Sequence, residues 1–143
     1  MTKYIGTKLY QIALLVLLMV GCQPKFRVTE VDLKGAWKTD SIYSYTNGFV
    51  ETKTVPKNSD EIIYEYDGFG TMTMRKEAEA RPVRYQIING DSMQYVGKTG
   101  TVLSSYRILH FEPGKLVLRK MNKPLFSGKN QLVYEIRRFS LAR

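Results

Sequence analysis

Few side chains in this chain could do chemistry. Its 143 residues include one cysteine, Cys22, and one histidine, His110. A lone cysteine cannot build an intramolecular disulfide or a multi-cysteine zinc site, and a lone histidine cannot supply a two-histidine centre. Ser104 and Ser105 lack the glycine-flanked pattern of a nucleophile elbow. His110 shares the alternation of Tyr106 and Ile108, next to the Pro113-Gly114 turn. With no nucleophile beside it, it reads as a rim residue and not a general base. Glu77 and Glu79 flank a polar loop, and the spacing of Asp60, Glu61 and Glu65 defines no carboxylate pair. No Asp-rich loop gathers the oxygens that calcium requires. The expectation is a non-enzyme with no catalytic residue, no metal and no cofactor.

Position gives Cys22 a different role. Residues 1–8 carry Lys3 and Lys8 and no acid, and Ile12 to Val20 is unbroken apolar sequence. That run is short of the roughly 20 residues a spanning helix needs. A basic start, a short apolar core and a small residue at Gly21 describe a secretory signal. Leu18-Met19-Val20-Gly21-Cys22 resembles a bacterial lipobox, with Met19 where leucine is usual. The resemblance implies that Cys22 is acylated, with palmitate-type chains, and becomes the new N-terminus. Each buried acyl CH₂ contributes about 0.8 kcal/mol, so two or three chains hold a domain at a membrane. No Asp follows the cysteine and no acidic run is present, which implies the periplasmic leaflet of the outer membrane, with surface display as the alternative. The chain is thus expected to divide into a signal (1–21), a lipidated N-terminus and tether (22–33) and one domain (34–143).

Charge is unevenly placed. Residues 22–112 hold 12 basic and 12 acidic side chains, whereas residues 113–143 hold 8 basic ones and one acid, Glu135. Such a segment suits anionic headgroups or an acidic partner, or is a solvated face whose lysines discourage edge pairing. For a chain expected to be exported and anchored, nucleic acid is not an expected partner.

The elements that must carry these residues are strands. Asn47-Gly48, Asp67-Gly68, Asn89-Gly90, Pro113-Gly114 and Gly97-Lys98-Thr99-Gly100 punctuate the chain as turns. Between them, runs rich in Val, Ile, Thr, Tyr and Phe predict strands near 35–46, 49–55, 61–66, 70–76, 83–88, 92–97, 101–111, 115–121 and 131–139. Arg75 to Ala80 is the one helix-like stretch, closed by Pro82. Alternation such as Val83, Tyr85 and Ile87 against Arg84 and Gln86 gives each strand one apolar face. Eight or nine such strands joined by hairpins curl into an antiparallel up-and-down barrel, which removes exposed edges.

With Trp37 setting the phase of the first strand, all eight tyrosines after the signal are expected on the inner face: Tyr43, Tyr45, Tyr64, Tyr66, Tyr85, Tyr95, Tyr106 and Tyr134. Met72, Met74 and Met93 join them. An unpaired buried hydroxyl costs about 1–3 kcal/mol, so that many phenols favour a partly wet lumen able to hold a small apolar or amphipathic molecule. The alternative is that tyrosine, a good strand former, fills the core as packing.

Leu33-Lys34-Gly35-Ala36-Trp37-Lys38 resembles the Gly-x-Trp start of the first barrel strand in lipocalins and lipocalin-like lipoproteins. Tyr85, Ile87, Gly90 and Asp91, then Tyr106 and Ile108, Leu116 to Leu118, and Tyr134, Ile136 and Arg138 follow the strand order of small bacterial lipocalin-like domains, over about residues 33–140. The resemblance implies a barrel that binds a small hydrophobic ligand. It also implies a structural trio of Gly35, Trp37 and a late-strand arginine over the tryptophan, for which Arg138 is the candidate, while alternation points its neighbour Arg137 outward. The rival expectation is a non-catalytic interaction or envelope-assembly module with a filled barrel.

Overall fold

The computed structural model describes residues 27–56, 61–123 and 131–142. Cys22 and the signal lie outside the described residues. Nine strands form one antiparallel sheet: β1 Gly35–Thr46, β2 Phe49–Thr54, β3 Ile63–Tyr66, β4 Thr71–Lys76, β5 Glu79–Ile88, β6 Ser92–Val96, β7 Val102–Glu112, β8 Lys115–Met121 and β9 Val133–Leu141. The sheet closes because β9 pairs with β1 along most of its length. β2 and β3 share one edge of β1: β3 takes Gly35 to Lys38 and β2 takes Ser41 to Thr46. The result is an eight-stranded antiparallel barrel plus one extra strand, β2, exposed at every residue. This is the all-β barrel that hairpin spacing and alternation predict.

One local expectation fails. Arg75 to Ala80 is not helical; Lys76 pairs with Glu79 across a two-residue turn in which Glu77 takes a positive φ of 52°. The pattern reads as helix because its charges recur closely. Strand pairing satisfies them instead, with Arg75 Nε donating to Glu65 at 2.7 Å from the neighbouring strand. Pro82 lies within β5 opposite Thr73 and closes nothing.

One end of the barrel is sealed. The segment expected to be a tether turns inward, and Val31–Leu33 forms a short 3₁₀ turn across that end. Leu33 is wholly buried and Val28 nearly so, among Trp37, Tyr66, Tyr85, Met93, Ile108 and Leu116. Polar groups fasten the cover. The Val28 N–H donates to the Gly90 carbonyl at 2.9 Å, the Ile87 N–H to the Glu30 carboxylate at 2.9 Å, and the Tyr85 hydroxyl to the Glu30 carbonyl at 3.2 Å. Gly35 has a φ of 141°, and a side chain there would meet Leu141 at 3.1 Å, so glycine serves both the turn and the close approach.

Trp37 plugs this end, as the Gly-x-Trp start implies, and its indole N–H donates to the Leu33 carbonyl at 2.8 Å. Trp37→Phe keeps most of the apolar volume and leaves that buried carbonyl without a donor. The expected loss is about 1–3 kcal/mol, measured as a lower urea midpoint at unchanged m-value.

Candidate functional site

Three irregularities of register decide which side chains the interior receives: Leu103 is extra on β7 against β6, and two further bulges reverse expected faces. The register of β1 against β9 shifts between Thr39 and Ser41, leaving Asp40 as an extra residue. An inserted residue turns everything beyond it to the opposite face. The bulge is held in place: the Asp40 carboxylate accepts the Ser140 hydroxyl at 2.7 Å, and its carbonyl accepts the Val55 N–H at 3.0 Å. Trp37 therefore faces in while Tyr43 and Tyr45 face out.

On β9, buried Phe139 opposes Leu116, so Arg137, Glu135 and Val133 share the inner phase. Tyr134, Ile136 and Arg138 take the outer one. Tyr134 stacks on Tyr45 at 4.9 Å and lies 6.3 Å from Tyr43, outside the barrel. Arg138 is exposed and does not cover Trp37, whose aromatic neighbour is Phe111 at 6.4 Å. Tyr43, Tyr45, Tyr134 and Arg138, all expected inside, thus face out. The second bulge leaves Leu109 extra on β7 and turns His110 outward, where its Nε2 lies 3.6 Å from Glu112.

The other five tyrosines do face inward, at two levels. Tyr66 and Tyr85 meet edge to face at 5.0 Å in the sealed end, where Met93 is also fully buried. Tyr64, Tyr95 and Tyr106 stand higher and border a cavity of about 260 Å³. Met72, Met74, Val83, Leu118, Phe139, Leu103, Ser104 and Arg137 complete its wall. The interior is neither filled nor wide, and the void comfortably exceeds one water molecule.

One hydrogen bond joins the two levels. The Tyr66 and Tyr95 hydroxyls bond one another at 2.5 Å, and burial pushes both phenols well above their ordinary range. Burial also lifts Tyr85 to about 12. The hydroxyls of Tyr64 and Tyr106 make no protein hydrogen bond among the described residues and are available to a ligand or to water.

Among the described residues, Arg137 is the wall's one cation. Burial is the largest single influence and would lower its guanidinium, but the hydrogen bond to Glu135 and that carboxylate's charge together help to outweigh it, and the group is held above its ordinary value. Tyr64 and Tyr106 lie close enough to add to that effect. Sequence reasoning assigned Arg137 to the outside. Its own alternation with Val133, Glu135 and Phe139 was the available signal, but the neighbouring Tyr134-Ile136 alternation outweighed it.

The wall offers apolar and aromatic surface, three phenols, one hydroxyl and a neutralised guanidinium. These groups are of the kinds that line small-molecule pockets. Among the described residues no group of three metal-ligating side chains comes together.

The three buried phenols predict an alkaline limit. A phenol whose folded pKa is raised stabilises the fold fully below its unfolded value, and that stabilisation is lost as pH rises through the folded value. Urea-measured stability is expected to be level up to the ordinary value of 10.0 and to fall towards about 12. Phenolate absorbance in the folded protein should lag behind that of the urea-unfolded chain; coincident titrations would contradict the burial of these rings.

Comparison with known proteins leaves the barrel and its lumen to be read on their own terms: no protein-family model, curated protein or solved structure matches this chain.

Proposed function

We propose that this chain is a lipid-anchored, lipocalin-like protein of the cell envelope whose barrel holds the apolar part of a small amphipathic molecule. The cavity of about 260 Å³ carries the proposal, with its wall of aromatic, methionine and aliphatic side chains and its few convergent polar groups. That is the usual make-up of a small-molecule site, at the lower edge of the usual roughly 300–1,000 Å³. Cargo is bound and released without chemistry, in keeping with the absence of catalytic patterns in the sequence.

The anchor and the barrel fit together geometrically. Only five residues separate Cys22 from Val28, which is packed in the sealed end. An extended chain of that length reaches at most about 20 Å. Acylation of Cys22 would therefore hold the sealed end near the membrane and turn the β1–β2 hairpin towards the aqueous compartment. Outer-membrane attachment facing the periplasm is the leaflet this reading assigns.

A specific observation favours an assembly role as the second reading. Val50, Tyr45, Tyr134 and Met121 form one cross-strand row on the outer surface, and Val50 and Met121 are more than half exposed. Aromatic rows of this kind suit contact with another protein.

Native mass spectrometry of the protein from its own membrane separates the two readings. The cargo reading expects a bound small-molecule mass that is lost in Ser104→Trp, where the indole occupies the lumen while far-UV dichroism stays unchanged. Repeated absence of any bound mass transfers the function to the outer row. Cys22→Ala should move the protein from the membrane fraction to the soluble one; continued sedimentation with membranes would defeat the anchor.

A further inference from the structure

β7 and β8 do not pair along their whole length. Their ladder begins at Arg107 opposite Arg119, and towards the open end Leu103 to Tyr106 have no partner on β8. The strands part there around a cleft of about 710 Å³. Leu103, Ser104 and Tyr106 border both this cleft and the lumen, so the two spaces adjoin through the barrel wall.

The cleft differs from the lumen in charge. Arg107, Arg119, Lys120 and Lys123 all line it. Asp91 lies 3.6 Å from Arg107. No carboxylate among the described residues pairs with the other three cations. The Nε of Arg119 is buried and has no hydrogen-bond partner among the described residues, an arrangement that costs free energy unless an acceptor arrives. Lys120 stands at the threshold, its Nζ 5.8 Å from the centre of the Tyr106 ring. Part of the positive charge concentrated in the last 31 residues is therefore gathered at one opening.

We propose that the β7–β8 cleft is a headgroup port: the lumen takes the single apolar chain of an amphiphile, and its anionic head lies in the cleft among Arg107, Arg119, Lys120 and Lys123. This rests on the cargo reading and adds the ligand's charge and its way in. A carboxylate or a phosphate would satisfy the buried Arg119 N–H and the unpaired lysines. An acidic polypeptide or a nucleic acid has no part that fits the apolar space beyond Tyr106. A lumen of about 260 Å³ suits one chain rather than two.

Calorimetric titration of the unacylated mature chain tests this with two matched pairs, dodecanoate against dodecanol and lysophosphatidylglycerol against lysophosphatidylcholine. In at least one pair the anionic member should bind about tenfold more tightly, the effect of one charge-assisted contact. Preference within the first pair identifies a free fatty acid, and preference confined to the second identifies a phospholipid source. The preference should narrow as salt is raised, a readout that needs no variant. Arg119→Gln with Lys120→Gln should abolish it and leave dodecanol binding and thermal midpoint unchanged. Equal affinity within both pairs, or a preference that survives the double substitution, overturns the port while the cargo reading stands. If none of the four binds, both readings fall.

Discussion

A side chain on a β-strand has two ways to face, and in a closed barrel these are the interior and the water. The whole molecule depends on how that choice is carried along each strand. It is inherited from residue to residue until a bulge resets it. Asp40 resets β1 and Leu109 resets β7. Had β1 run without interruption, Tyr43 and Tyr45 would have entered the lumen. They instead stack with Tyr134 on the outside, and the interior keeps the space that their rings would have occupied. The cavity exists in part because of one unpaired residue, held by a hydrogen bond to Ser140 and another to Val55.

Strand pairing distributes space in a second way. A sheet of this size has to close, and β9 reaching β1 closes it. Closure is complete at the end covered by Val28 and Leu33, where polar atoms find partners and the Tyr66 and Tyr85 rings pack edge to face. Towards the other end the ladders stop early. β2 leaves the barrel wall, and β7 parts from β8 beyond Arg107 and Arg119. Packing is continuous where the barrel is sealed, and surface is left open where pairing ends.

Charge follows the same geometry. Arg137 enters the barrel because β9 follows the phase of Phe139, and Glu135 two residues earlier enters with it. A lone guanidinium in that setting would be costly; the pair is tolerated because each neutralises the other. Lys120, opposite Glu135 on β8, leans over Tyr106 at the edge of the lumen. The polar character of the cavity thus comes from a small charged group set among aromatic rings, and the interior as a whole stays apolar.

Much of this could be read from residue order alone. Turn dipeptides such as Asn47-Gly48 and Asn89-Gly90 mark hairpins because their backbones accept positive φ, and these marks located the strands. Alternation identified the antiparallel barrel and put Tyr64, Tyr66, Tyr85, Tyr95 and Tyr106 inside, because period two is a local property. Gly35 and Trp37 were legible for the same reason, as a turn and a bulky apolar plug. The faces of Tyr43, Tyr45, Tyr134, His110, Arg137 and Arg138 were not. An extra residue in a strand leaves no local mark; it exists only in relation to the partner strand, and for β1 that partner is β9, about a hundred residues away. Residue order therefore decided which segments are strands, and pairing across the closed sheet decided which side chains meet inside it.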